Sequence, residues 1–372
     1  MINKFNFLLA VIVGFFCFFL SSPAFSNSKD TLFASSLHPY GRFIKNSTDN
    51  LELISSAVHF GFKFTGSYCS IFAFISDPAG HNYLQYTVDG VYYKRIKVSG
   101  RASMPYQLSG LGKGTHTVWI YKATEATTGP IFIEKIFGHD IISLNVPNLP
   151  LIEFIGNSIT CGAAADPSEF PCGTGEYHDQ HNAYYSYAPR VARDLNMNFI
   201  LSCVSGIGIY RNWNSLSPTM PQVYERTDFQ VNSARKWDFK TYSPRIVSIA
   251  LGTNDYSDGD GKNTRLPFDS GVFVNKYVQF VVLVKSKYPS AQIALLSSPM
   301  INGGRRMTLQ NCLTAVKIQI DKKYSSEKPV ALFFFRPMQA RGCGGHPSVD
   351  DHAILAEELL PFLKKLLAES NK

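Results

Sequence analysis

Long hydrophobic runs are scarce in this 372-residue chain: after residue 20 no stretch is long and apolar enough to span a bilayer as a helix. Charged residues are also sparse, at 17% against 45% apolar, a balance that supplies a core and excludes a disordered chain. The formal net charge is +8, yet the positives form neither a basic run nor an amphipathic basic stripe. A solvated basic surface accounts for them, and no nucleic-acid partner is expected. Internal repeats and low-complexity linkers are missing too, so two units packed closely around Asn145-Val146-Pro147-Asn148 are expected.

The one long apolar run, Phe7 to Leu20, follows Lys4 and precedes Pro23-Ala24-Phe25-Ser26, a small-x-small ending. That order reads as a signal peptide of residues 1–26 with cleavage after Ser26, and predicts a secreted or periplasmic protein with no stable membrane insertion after removal. Cys17 leaves with it. Six cysteines remain: Cys69, Cys161, Cys172, Cys203, Cys312 and Cys343. An even number in an exported chain permits disulfides. Cys161 and Cys172 bracket a short Gly/Ala/Pro-rich loop and are the expected pair, while Cys312 and Cys343 offer a second bridge. Cys69 and Cys203 stand in strand-like patterns and read as buried thiols.

Helix periodicity is missing from the first third. Short aromatic and β-branched runs take its place: Val58 to Phe64, Ser70 to Ile75, Tyr83 to Val88, Tyr92 to Val98, His116 to Tyr121 and Pro130 to Ile136. Asp89-Gly90 is a hairpin turn between two of them. Residues 27–148 therefore read as an antiparallel β-sandwich of jelly-roll type.

After Leu149 the period changes. Leu151 to Ile155, Phe199 to Val204, Ile246 to Leu251, Gln292 to Ser297 and Val330 to Phe335 are apolar runs of buried-strand length. Helix-length stretches alternate with them: Ala183 to Leu195, Ser270 to Lys287, Met307 to Lys323 and Val349 to Leu367. Alternation of this kind predicts, for residues 149–372, a five-stranded parallel sheet with helices on both faces. Ser348 and Asp351 form a capping-box start for the last helix, and Pro361 is expected to kink or end it early.

Three short segments can meet at the carboxyl edge of such a sheet, where α/β proteins place their ligands. Ser158, in Gly156-Asn157-Ser158-Ile159-Thr160, directly follows a strand, a position from which a tight turn presents a hydroxyl. The Gly-x-Ser-x-Gly elbow is absent, with Thr160 at its last position, so an N-capping role for Ser158 stays open. Asn254, in Gly252-Thr253-Asn254-Asp255, can aim amide N–H groups at an oxyanion, and Gly206 can add a backbone N–H. His346, in Gly345-His346-Pro347-Ser348, is placed to serve as a base. His352 is the rival, with packing or capping as its alternative role. His178 and His181 share a polar loop, but no third ligand stands at a recognisable spacing, so neither a metal nor any other cofactor is expected.

Gly-Asn-Ser-Ile-Thr-Cys-Gly, Val-Ser-Gly-Ile-Gly-Ile-Tyr-Arg-Asn, Gly-Thr-Asn-Asp and Gly-Gly-His-Pro-Ser resemble, in order, the blocks of the SGNH/GDSL hydrolases, and more narrowly those of carbohydrate esterase family 2. The segment from His116 to Ala126 is similar to that family's jelly-roll region. The resemblance implies a flavodoxin-like sheet, with Ser158 as nucleophile and His346 as base. It also implies an oxyanion hole of the Ser158 and Gly206 N–H groups with the Asn254 side chain, acting on acetylated carbohydrate. Asn157 stands where the superfamily usually has Asp, as family 2 members also show. Gly344 stands where a triad would place its acid. A Ser–His dyad steadied by a backbone carbonyl of the Cys343 to Gly345 loop is therefore expected. A short-chain lipid or aryl-ester hydrolase, or a non-catalytic carbohydrate-binding protein, are the alternative readings.

Overall fold

Aromatic and β-branched residues of the first third pack as strands because alternate side chains can share one core while their neighbours face outward. The computed structural model describes residues 30–45, 49–262 and 264–369; the expected signal segment lies outside them. Nine strands form the first unit: β1 (Thr31–Phe33), β2 (Phe43–Lys45), β3 (Leu51–Leu53), β4 (His59–Phe74), β5 (His81–Val88), β6 (Val91–Ser99), β7 (Met104–Leu108), β8 (Thr115–Lys122) and β9 (Ile131–Leu144). All pair antiparallel in the order β2-β3-β9-β4-β8-β5-β6, with β1 on β9 and β7 on β4. The hairpin at Asp89-Gly90 joins β5 to β6, with positive φ at both residues.

The long strands β4 and β9 run through both layers of this sandwich. The first half of β4 pairs with β8 and its second half with β7, and the β4–β9 register shifts between Thr65 and Ser70. Two separate runs in the sequence, Val58 to Phe64 and Ser70 to Ile75, thus belong to a single strand. Phe60, Phe62 and Phe64 from one half and Cys69, Ile71 and Ala73 from the other close on the same core.

The second unit carries β10 (Leu151–Gly156), β11 (Asn198–Cys203), β12 (Ile246–Ala250), β13 (Gln292–Leu296) and β14 (Ala331–Phe333), with α1 (Ser158–Cys161), α2 (Tyr187–Asp194), α3 (Met220–Val223), α4 (Ser270–Lys287), α5 (Gly303–Lys323) and α6 (Val349–Glu369). Its strands are all parallel, in the order β11-β10-β12-β13-β14. Both faces are covered, which is why the strands read as continuous apolar runs. Val247 and Ile249 of β12 and Ile293 and Leu295 of β13 meet α3, α4 and α5. Phe154, Ala294 and Leu296 point the other way, into the cluster formed with α1, α2 and α6.

Of the two outcomes expected at Pro361, an early end does not occur: α6 runs through it to Glu369. A helical proline leaves the carbonyl four residues earlier without its donor. Here that residue is the exposed Glu357, where water can serve. The start of α6 is as expected: the Ser348 hydroxyl accepts the Asp351 N–H at 3.1 Å, and Asp351 accepts the Ser348 N–H at 2.9 Å.

Arg42 joins the two units. Fully buried, it donates to the carbonyls of Tyr224 (2.8 Å) and Arg226 (2.7 Å) and to Ser202 Oγ (3.1 Å), 3.7 Å from the Glu153 carboxylate of β10. On the other side of the sandwich, Arg95 of β6 donates to the carbonyls of Asp179 (2.6 Å) and His181 (3.0 Å). Removing either cation would leave buried carbonyls without donors.

Candidate functional site

Strand β10 ends at Gly156, and the chain turns at once into the single helical turn α1, with Asn157 as its N-cap. The Asn157 carboxamide oxygen accepts the Ile159 N–H at 3.1 Å. Capping is thus done by Asn157, and Ser158 occupies the first helical position with its hydroxyl free for other partners. The helix N-terminus beneath it favours developing negative charge. This turn sits beside β12, between β10 and its neighbours, at the point where the strand order reverses.

The Ser158 hydroxyl lies 3.0 Å from His346 Nε2. On the far side of the ring, Nδ1 lies 3.3 Å from the Cys343 carbonyl. A carbonyl only accepts, so Nδ1 carries the proton and Nε2 presents its lone pair to Ser158. Gly344 and Gly345, both at positive φ, turn the loop tightly enough for a carbonyl three residues back to face the ring. Burial holds His346 below the ordinary imidazole value, with the Cys343 carbonyl opposing that shift. His352 is elsewhere: fully buried in α6, it stacks on Tyr187 and accepts the Tyr187 N–H at 3.3 Å, and burial pushes it down to about 3. Packing is its role.

Asn254 follows β12 and donates one amide N–H to the Ile207 carbonyl at 2.8 Å. Its second N–H is left for the cleft it lines. Gly206 has a positive φ, and a Cβ there would collide with the Trp213 indole. The loop that follows is wrapped around Asp255, which sequence reasoning did not single out. Its buried carboxylate accepts N–H groups from Ile209 (3.1 Å) and Tyr210 (2.9 Å). Burial raises it to about 6 despite those bonds. Asp255 therefore holds the loop that aims Gly206 and Asn254.

Asp351 does not approach His346 as a triad acid; besides capping α6 it binds Arg341, whose Nε donates at 2.6 Å. A different carboxylate, also unforeseen, stands behind the site. Glu125, at the end of the sandwich and fully buried, accepts the Ser205 N–H at 2.5 Å and lies 3.7 Å from His181 Nε2. Burial alone would raise its pKa; His181 and the Ser205 N–H outweigh that and hold it below its ordinary value. Tyr177 packs edge-on against His181, and its hydroxyl lies 3.4 Å from both His346 Nε2 and Ser205 Oγ. The only sequence signal for Tyr177 was its place beside His178 in the polar loop.

Both expected disulfide pairings are replaced. Cys161 bonds Cys203, with Cα atoms 5.7 Å apart, and Cys172 bonds Cys343, at 5.1 Å. Cys161 ends α1, buried against the last residue of the adjacent strand β11, so the partner read as a thiol lies opposite it. Cys172 is carried outward on an exposed loop to the histidine segment. Cys312 is a free thiol on the core side of α5, and Cys69 is free in the sandwich core. The loop between Cys161 and Cys172 has its own anchor: Ala163, Ala164 and Ala165 are buried, and the last two accept N–H groups from Cys343 (2.8 Å) and Val349 (3.0 Å).

Ser158, His346, Gly206, Asn254, Tyr177 and Trp213 line one open cleft of about 750 Å³. An antiparallel sandwich feeding a parallel sheet of this strand order, with Ser, Gly, Asn and His at its carboxyl edge, defines an SGNH/GDSL-type hydrolase architecture. Residues 40–144 match the family model described as the carbohydrate esterase 2 N-terminal domain. The cellulase/esterase CelE of Acetivibrio thermocellus is 29% identical over 340 residues, covering 88% of this chain and 39% of that protein, so this chain spans well under half of that relative. An acetylxylan esterase/glucomannan deacetylase of Cellvibrio japonicus is 27% identical over 77% of each. Among solved structures, a family two carbohydrate esterase from Clostridium thermocellum, in complex with cellohexaose, superposes with a TM-score of 0.77 at 28% identity, covering 91% of this chain and 99% of that one. The first unit thus matches the amino-terminal domain of carbohydrate esterase family 2, and the chain is similar along most of its length to carboxylic ester hydrolases of that family.

Proposed function

We propose that the protein is an exported esterase that removes O-acetyl groups from carbohydrate through an acyl-enzyme. The observation that carries this reading is the 3.0 Å approach of Ser158 Oγ to His346 Nε2 at the edge of an open cleft. Ser158 attacks the acetyl carbonyl while His346 takes its proton. The tetrahedral oxyanion is received by the Ser158 and Gly206 N–H groups and the Asn254 amide, and His346 returns the proton to the sugar hydroxyl that leaves. Water then attacks the acyl-enzyme with His346 again as base, and acetate departs. No acid is needed to fix the imidazole tautomer, because the Cys343 carbonyl performs that task. Export is supported by the leader pattern in residues 1–26 and fits the two disulfides.

The test is acetate release from acetylated xylan, acetylated mannan, acetylated peptidoglycan and short-chain lipid esters, together with nitrophenyl esters from acetate to decanoate. Fastest release from an acetylated glycan and a maximum at acetate are expected. A maximum at eight carbons or longer favours a lipid ester hydrolase, and glycan binding without turnover favours a binding protein.

A further inference from the structure

Beyond the cleft, a second cluster of side chains has metal-ligating chemistry. His81 begins β5 of the sandwich, and Glu176 and His178 flank Tyr177 in the loop of the hydrolase unit. Each offers one potential ligand atom, all within 4.8 Å of one another. They open onto a hollow of about 710 Å³ between the two units, lined also by Glu125 and Tyr177.

What separates this group from an accidental cluster is the second set of contacts. His81 Nε2 lies 2.5 Å from Asp179 Oδ1, a buried carboxylate that also accepts the Tyr83 hydroxyl (2.8 Å) and, through Oδ2, the Glu176 N–H (2.7 Å). His178 Nε2 lies 3.0 Å from the His81 carbonyl. Both partners accept, so each ring is protonated on Nε2 and, as the neutral imidazole, presents Nδ1 as a lone pair. Metal-binding histidines are oriented in the same way, by a carboxylate or a carbonyl on the nitrogen that does not bind. His178 Nδ1 in turn stands 3.5 Å from Glu176 Oε2, so with the ring neutral two acceptors face each other. A cation resolves that conflict.

We infer that His81, His178 and Glu176 form a site for a divalent transition metal of the zinc class at the junction of the two units. Two imidazoles and one carboxylate suit such an ion better than calcium or magnesium, which take oxygen ligands. Bonds of about 2.0–2.1 Å in a tetrahedral site bring ligand atoms to roughly 3.4 Å apart, so the group must contract slightly. Glu176, the exposed member, supplies the movement, and water from the hollow completes the shell. The metal's role is structural. It ties β5 to the loop that holds Tyr177 against His346, and takes no part in ester cleavage.

The full chain, freed of metal by chelator and dialysis, is titrated with zinc chloride by calorimetry, with metal content measured after desalting and melting followed with and without zinc. One equivalent of zinc and a rise in Tm are expected. Glu176→Gln and His178→Gln should each weaken binding by about tenfold or more and remove the rise in Tm. Glu176 is exposed, so its variant should fold, and it decides the matter alone if the histidine variant does not. Absence of saturable binding up to about 1 mM zinc, or unchanged affinity in Glu176→Gln, overturns the site. Because the readouts are stoichiometry and melting, that result leaves the Ser158–His346 reading standing.

Discussion

The Ser158 side of the cleft and the His346 side are held by different means. Ser158 opens α1, separated only by Asn157 from the end of a strand paired on both sides, so its position follows from sheet register and one N-cap. His346 lies in a glycine-rich loop with no strand to aim it. Its place depends on the carbonyl of Cys343, the bridge from Cys343 to Cys172, and N–H groups given to the carbonyls of Ala164 and Ala165. A nucleophile can be placed by regular structure alone, whereas a base on a loop needs long-range ties.

The largest expected effect is on the nucleophile. Ser158→Ala should fold and melt like the parent yet lose acetate release by roughly 10³-fold or more, because the covalent route is removed. A variant that keeps half its rate would mean that another group attacks.

Next comes the tie on the histidine side. Replacing Cys172 and Cys343 together by Ser opens a loop with a sequence separation of 171 and should cost about 2–4 kcal/mol of stability. Activity should fall with it, whereas the Cys161–Cys203 bridge lies on the side already ordered by the sheet. Peptide mapping without reduction should recover Cys172 joined to Cys343; finding Cys161 joined to Cys172 would reverse the comparison.

Glu125 tests whether the sandwich helps to place the site. Glu125→Gln replaces the charged acceptor of the Ser205 N–H, beside Gly206, and should lower kcat by about tenfold with a smaller change in KM. Loss of stability with kcat unchanged would reduce Glu125 to a packing residue.

The pH profile gives a smaller signal. His346 must be neutral to accept the proton, and burial holds its pKa below 6.5. Activity should therefore be level near neutral pH and fall only as pH drops through that lowered value. The Glu125 carboxylate favours the imidazolium, so Glu125→Gln should move the acid limb lower still. An acid limb above 6.5 would contradict this environment.

Asp350 and Asp351 should matter least. Asp350→Asn and Asp351→Asn are expected to retain most of kcat, with about 1 kcal/mol of stability lost in the second because its cap on α6 is weakened. A thousandfold loss in a folded variant would reveal an acid that the geometry does not place beside His346.

The local period of the chain by itself determined both layers of the protein. Alternating aromatic and β-branched residues specify a sandwich, apolar runs separated by helix-length stretches specify a parallel sheet, and strand ends carry Ser158 and Asn254 to one edge because parallel strands share a direction. The bounds expected for α4, Ser270–Lys287, are those of the structure, where Asp269 caps the first turn. What only the tertiary structure decided are the pairs between distant segments. Cys161 meets Cys203 because β10 and β11 are neighbours, Glu125 reaches Ser205 from the other unit, and His81 joins His178 across 97 positions. No period encodes such contacts. They depend on how finished elements pack, and the free energy that selects them exists only once both surfaces are formed.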